Sequence, residues 1–89
     1  MTLKMRISAI IGDNVRGFRM KRGWSQARLG EEARLHPNYI GYIERGERNV
    51  TVNKLIEIAR ALKVRPYLFL IEGAYKKSIK ERNKLLQLD

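Results

Sequence analysis

The sequence predicts an all-α domain, on three observations. Apolar residues recur at three-to-four spacing in successive segments, glycine, proline and capping residues separate those segments, and no stretch shows the strict alternation of a strand. Eighty-nine residues without internal repeats leave room for one modest core and no second catalytic domain.

Ile7, Ile10, Ile11, Val15 and Phe18 set the period of a first helix over about residues 6 to 22, which Gly23 ends. Trp24 opens the connection, and Ser25 is a good N-cap for a second helix that turns Leu29 and Ala33 inward. Gly30 inside that helix costs about 1 kcal/mol against alanine, which predicts compensation by close approach of the next helix. Pro37 suits a first helical position, so a third helix is predicted from Pro37 to Arg45, with Ile40 and Ile43 buried. Gly46 stops it. Thr51 caps a fourth helix that runs to Leu62, with Leu55, Ile58, Ala59 and Leu62 as its core stripe. Arg65 and Pro66 open a short fifth helix carrying the apolar run Tyr67, Leu68, Phe69, Leu70 and Ile71. That run exceeds what so small a core needs, so Tyr67, Leu68, Phe69 and Ile71 are the expected dimer contact. The domain is expected to end at residue 73, and residues 74–89, with Tyr75, Ile79, Leu85, Leu86 and Leu88 at loose helical spacing, to form a basic C-terminal helix or tail.

Residues 25 to 50 therefore read as two short helices joined by a tight turn, with a polar tip on the second helix and an arginine-rich loop after it. That is the layout of a helix-turn-helix DNA reader. The formal net charge is +10, and residues 1–50 and 51–89 each carry +5, so the positive charge is spread over the domain and attracts phosphate. Anionic membrane and acidic protein are weaker readings of the same charge. No signal peptide or membrane span is readable, and the chain has no cysteine, which removes disulfides and thiolate zinc sites and fits a cytoplasmic protein. His36 is the single histidine and reads as a surface turn residue, Glu31 and Glu32 point to different sides of their helix, and no nucleophile-base pattern or phosphate loop is present. No enzyme, metal, cofactor or small-molecule effector is expected.

The chemistry of recognition falls on a few side chains. Asn38 either matches adenine N6 and N7 with its amide or is a solvated residue of the first turn. Tyr42, one turn on, either meets a thymine methyl or a phosphate, or packs on a neighbouring helix. Tyr39 is either buried beside Ile40 or bonded to phosphate. Arg45, Arg48 and Asn49 surround a glycine turn from which flexible donors can follow the DNA backbone, and Arg48 can enter a minor groove; the alternative is ordinary solvated charge. Gln26 beside the Ser25 cap sits at a natural anion site. Arg16, Lys21, Arg22 and Arg28 are outer contributors.

The stretches GDNVRGFRMKRGWSQARLGEEA and NYIGYIERGERNVTVNKLIEIARALKV resemble the Cro/repressor, or Xre, helix-turn-helix family over roughly residues 8 to 71. Tyr39, Ile40 to Ile43, Glu44, Arg45, Gly46, Arg48, Asn49 and Thr51 are similar to the small controller proteins of restriction-modification systems. The resemblance implies a five-helix repressor-like bundle with a C-terminal helical extension, whose third helix enters the major groove of double-stranded DNA. It also implies a homodimer acting as a transcriptional regulator on an inverted-repeat operator. Position by position, it turns Asn38 and Tyr42 to base edges, sets Gln26 on a phosphate and against the third helix, and places Arg45, Arg48 and Asn49 in the loop along the groove wall. Together with the residue chemistry above, base contacts are expected at Asn38, Tyr42 and Arg48, and backbone contacts at Gln26, Arg28, Tyr39, Arg45, Asn49 and Arg22. Arg19 and Glu44 match an internal ion pair. The alternative is an antitoxin that binds both a toxin and its own operator. Three positions depart from the family pattern: Arg34 stands where the turn commonly has glycine, Pro37 cannot donate at the first recognition position, and Gly41 replaces a residue that is frequently polar.

Overall fold

A computed structural model describes residues 1–78, 80 and 81 of the chain. Four α-helices follow one another: α1 (Leu3–Lys21), α2 (Gln26–Ala33), α3 (Pro37–Glu44) and α4 (Val52–Leu62). Two short 3-10 helices follow, Pro66–Leu70 and Ala74–Lys76. The described residues contain no strand, and none of their helices is long and apolar enough to cross a membrane.

Caps set the helix starts. Thr2, Ser25 and Thr51 each accept a hydrogen bond from the backbone N–H three residues on, that is from Met5, Arg28 and Lys54. The Thr2 cap lengthens α1 by a turn beyond the expected start near residue 6. Apolar periodicity misses that turn because Leu3 and Met5 face solvent and the cap holds it. Arg34 ends α2 in the left-handed region, at φ 59° and ψ 40°, as the missing turn glycine implies. Lys63 ends α4 in the same way, at φ 57°.

α3 is wedged between α1 and α2, and both contacts use glycine. A Cβ on Gly30 would meet the Leu35 carbonyl and the Pro37 backbone, so the propensity lost at Gly30 is compensated by the approach of α3. A Cβ on Gly12 of α1 would run into the carbonyls of Ile43 and Glu44. The side chains of Val15, Phe18, Leu29, Ala33, Ile40, Ile43, Ile58 and Leu62 fill the space among the four helices.

One ion pair fastens this arrangement. Arg19 Nε and Nη2 donate to the two carboxylate oxygens of Glu44 at 2.6 and 2.9 Å, and the two side chains are only 13% and 3% exposed. Gln26 Nε2 adds a third donor to Glu44 at 3.1 Å, and Arg19 Nη1 reaches the Trp24 carbonyl at 2.8 Å. α1 and α2 thus converge on one carboxylate of α3, and the connection is held to the same arginine. The hydrogen bond to Glu44 raises the pKa of Arg19 above its ordinary value, so the guanidinium stays charged.

The expected fifth α-helix is a 3-10 helix, and five residues are too few to build an i→i−4 ladder. Its end carbonyls are taken by the buried Asn14 of α1. Asn14 Nδ2 lies 3.3, 3.0 and 2.8 Å from the oxygens of Leu68, Phe69 and Ile71, and Asn14 Oδ1 accepts from the Tyr75 N–H. This docking corrects the expected dimer contact. Leu68 and Phe69 are core residues, and Phe69 meets Phe18 edge-on with ring centroids 6.0 Å apart. Without this lid the helices would leave one side of the core open. Tyr67 and Leu70 remain exposed and Ile71 half-buried. Packing also continues past the expected boundary at residue 73, since Ala74 is buried and the Tyr75 ring lies on Gly17. The expectations for Ile79, Leu85, Leu86 and Leu88 lie outside the described residues.

Arg34→Gly is expected to gain a few tenths to about 1 kcal/mol, because removing left-handed strain outweighs the added freedom of the unfolded chain; a lower melting temperature would contradict this. Glu44→Ala strands Arg19 in a mostly buried place and is expected to cost roughly 3–5 kcal/mol in chemical denaturation. Asn14→Leu, similar in volume but unable to donate, is expected to cost about 3 kcal/mol in the same assay by leaving carbonyls unpaired.

Candidate nucleic-acid interface

On α3, positions 38, 42 and 45 stand at i, i+4 and i+7 and share one face, opposite the buried Ile40 and Ile43. Asn38 is exposed, and its side-chain amide makes no hydrogen bond to another described residue. Tyr42 is half-buried, with guanidinium groups over its ring: Arg48 at 4.8 Å and Arg45 at 5.2 Å from the centroid. The loop after Gly46 therefore folds back so that Arg48 lies beside the exposed face of α3.

Arg45 also holds Glu47 through two hydrogen bonds of 3.0 and 3.1 Å. That pairing, with the Arg45 and Arg48 charges, keeps the Glu47 carboxyl below the usual carboxylate range, and it raises the pKa of Arg45. Asn49 reaches the other way, where its Oδ1 accepts from Ser8 Oγ at 3.4 Å, so the far end of the loop is tied to α1.

The other residues read from the sequence as DNA contacts fall on the flanks. Gln26 opens α2 with its amide nitrogen on Glu44, and Gly41 lies beside its side chain and the Arg45 guanidinium, where a Cβ would stand 3.4 Å from Gln26 Oε1 and 3.1 Å from Arg45 Nη1. Arg22 and Arg28 both lie over Trp24, at 5.2 and 5.0 Å from the ring centroid. Each is also bonded elsewhere, Arg22 to the Leu62 carbonyl and Arg28 to Glu32. Tyr39 is half-buried under the ammonium of Lys54, 4.4 Å from its ring.

Sequence reasoning passed over two residues here. His36, read as a turn residue, is the N-cap of α3. Lys54 projects from α4 toward the Tyr39 ring, and its place beside the core stripe of α4 was the available signal. Among the described residues, no three histidine or acidic side chains gather to hold a metal ion.

The surface is an exposed helix face carrying an amide and a phenol, bordered by guanidinium groups and by the N-terminus of a second helix. It can offer hydrogen bonds to base edges and charge to phosphates, and it holds no pair of groups arranged for covalent chemistry.

Comparison with known proteins agrees with this chemistry. A helix-turn-helix family model matches residues 15–69. The chain is 48% identical over 58 residues to control protein C.SmaI of Serratia marcescens, covering 65% of this chain and 69% of that one. It is 42% identical over 67 residues to control protein C.BamHI of Bacillus amyloliquefaciens, covering 74% and 80%. The fold is similar to the crystal structure of the restriction-modification controller protein C.AhdI from Aeromonas hydrophila, with TM-score 0.68, 33% identity and coverage of 72% and 96%. The chain belongs to the Xre-type helix-turn-helix family of DNA-binding transcriptional regulators.

Proposed function

We propose that this protein is a controller of the restriction-modification type, a cytoplasmic homodimer that occupies an inverted-repeat operator and reads it with α3 in the major groove. The observation that carries the reading is the shared face of Asn38, Tyr42 and Arg45, with Arg48 folded over Tyr42 at its edge. Asn38 and Tyr42 reach base edges and Arg48 enters the neighbouring minor groove. Gln26, Arg28, Tyr39, Arg45 and Asn49 line the backbone, with Arg22 behind them.

Two half-sites are needed because one eight-residue helix reads too few bases to discriminate in a genome. The dimer contact is drawn from the exposed apolar groups beside the core lid, namely Tyr67, Leu70 and the outer part of Ile71, with Leu70 taking the place of the buried Leu68 and Phe69. Tyr67 is 42% and Leu70 51% exposed, enough apolar surface to seed an interface.

Selection of bound duplexes from a random pool is expected to return a palindrome, and uniform recovery would remove the proposal. On the selected duplex, Asn38→Ala is expected to flatten discrimination by about 1–3 kcal/mol at one position of each half-site. Lys21→Ala, at the end of α1, is expected to weaken binding to all sequences alike and to reduce the salt slope by about one. Leu70→Glu is expected to shift the mass by light scattering toward monomer with the helical signal intact. An unaltered dimer would locate the contact elsewhere.

A further inference from the structure

Three of the four α-helices are capped by hydroxyl groups that accept from the N–H three residues on. α3 departs from this. Its cap is His36, and the acceptor is imidazole Nδ1, 3.0 Å from the backbone N–H of Asn38. Pro37, at the first helical position, has no N–H, so the first-turn donors of α3 are those of Asn38, Tyr39 and Ile40. The first goes to Nδ1; the other two go to the carbonyl oxygen of the same His36, at 3.0 and 3.3 Å. Every backbone donor at the end of α3 that carries Asn38 terminates on one residue.

A ring nitrogen accepts only through its lone pair, so Nδ1 carries no proton and the neutral ring holds its proton on Nε2. A doubly protonated ring would donate from both nitrogens and set a positive charge against the positive end of the helix. We propose that His36, as the neutral Nε2–H tautomer, is a positioning residue for sequence readout. By closing the first turn of α3, it holds Asn38 where its amide meets a base edge. The proposal rests on the reading of Asn38 as a base-contact residue. A bidentate amide contact needs two aligned hydrogen bonds at once and is lost when its turn frays, whereas phosphate contacts from flexible cations tolerate such movement. His36 therefore acts on discrimination and leaves general attraction to DNA unchanged.

The test combines long-range 1H–15N spectra of the unaltered protein with binding of His36→Ala, His36→Asn and Asn38→Ala to the selected duplex and to a scrambled duplex. Binding is measured well below the unfolding temperature. The expected tautomer carries its proton on Nε2. His36→Ala is expected to lose roughly three- to tenfold in affinity for the selected duplex and nothing for the scrambled one, in line with the loss of one cap. His36→Asn, which keeps a capping oxygen, is expected to recover most of the loss. A proton on Nδ1, an equal loss on both duplexes or failure of asparagine to rescue would each overturn the proposal. Full discrimination in His36→Ala with flattened discrimination in Asn38→Ala would overturn the His36 role alone. Full discrimination in Asn38→Ala would remove the base-contact reading and the His36 role with it.

Discussion

The structure depends on the carboxylate of Glu44, the last residue of α3, being held by Arg19 and Gln26. A helix of eight residues is too short to be stable by its own hydrogen bonds, so α3 must take its position from its surroundings. Its C-terminal end is fixed by charge-assisted bonds to α1 and α2 and by the approach of Gly12 to the Ile43 and Glu44 carbonyls, and its first residue, Pro37, lies against Gly30 of α2. The backbone donors of its first turn all end on His36. Charge-assisted side-chain bonds thus hold the end of α3 remote from Asn38, whereas the end that carries Asn38 is held by packing on Gly30 and by its cap.

α1 links this reader to the rest of the domain. Arg19 faces the helix-turn-helix, whereas Asn14 binds the carbonyls of the 3-10 segment that closes the core. Asn14 is fully buried and Arg19 mostly so, and both gather several elements onto one side chain. Buried apolar contact alone would fill the same volume without specifying which backbone group sits where.

Much of the domain was legible in the sequence because it rests on local chemistry. Ser25 and Thr51 cap as their side chains require, Gly30 marks the close approach of α3, and Arg34 takes the left-handed turn position that its alignment with glycine implies. What was not legible depends on tertiary partners. The start of α1 at Leu3 escaped because its first turn buries little. The run from Tyr67 to Ile71 looked like surplus surface because nothing local shows that Asn14, more than fifty residues earlier, binds its carbonyls and turns Leu68 and Phe69 inward. His36 looked inert because capping by imidazole is uncommon and its significance depends on Pro37 having removed the preceding donor.

Formal charge overstates how strongly the reading edge is positive. Arg45 is neutralised by Glu47, Arg28 by Glu32 and Arg60 by Glu57, each pair exposed and spaced at 2.8 to 3.0 Å. Exposed pairs of this kind contribute about 0–1 kcal/mol, so a phosphate can displace the carboxylate at modest cost, but the displaced carboxylate then repels the duplex. Arg48, Arg16, Lys21 and Arg34 form no ion pair with a described residue, and of these only Arg48 touches the reading face. Arg16, Lys21 and Arg34 thus lie away from the α3 face, which carries the Arg45–Glu47 pair, Arg48 and the hydrogen-bonding groups of Asn38 and Tyr42. On the proposed reading, a protein built this way separates the two components of recognition in space, with sequence preference assigned to Asn38, Tyr42 and Arg48 and the salt-dependent share of affinity to the flanks.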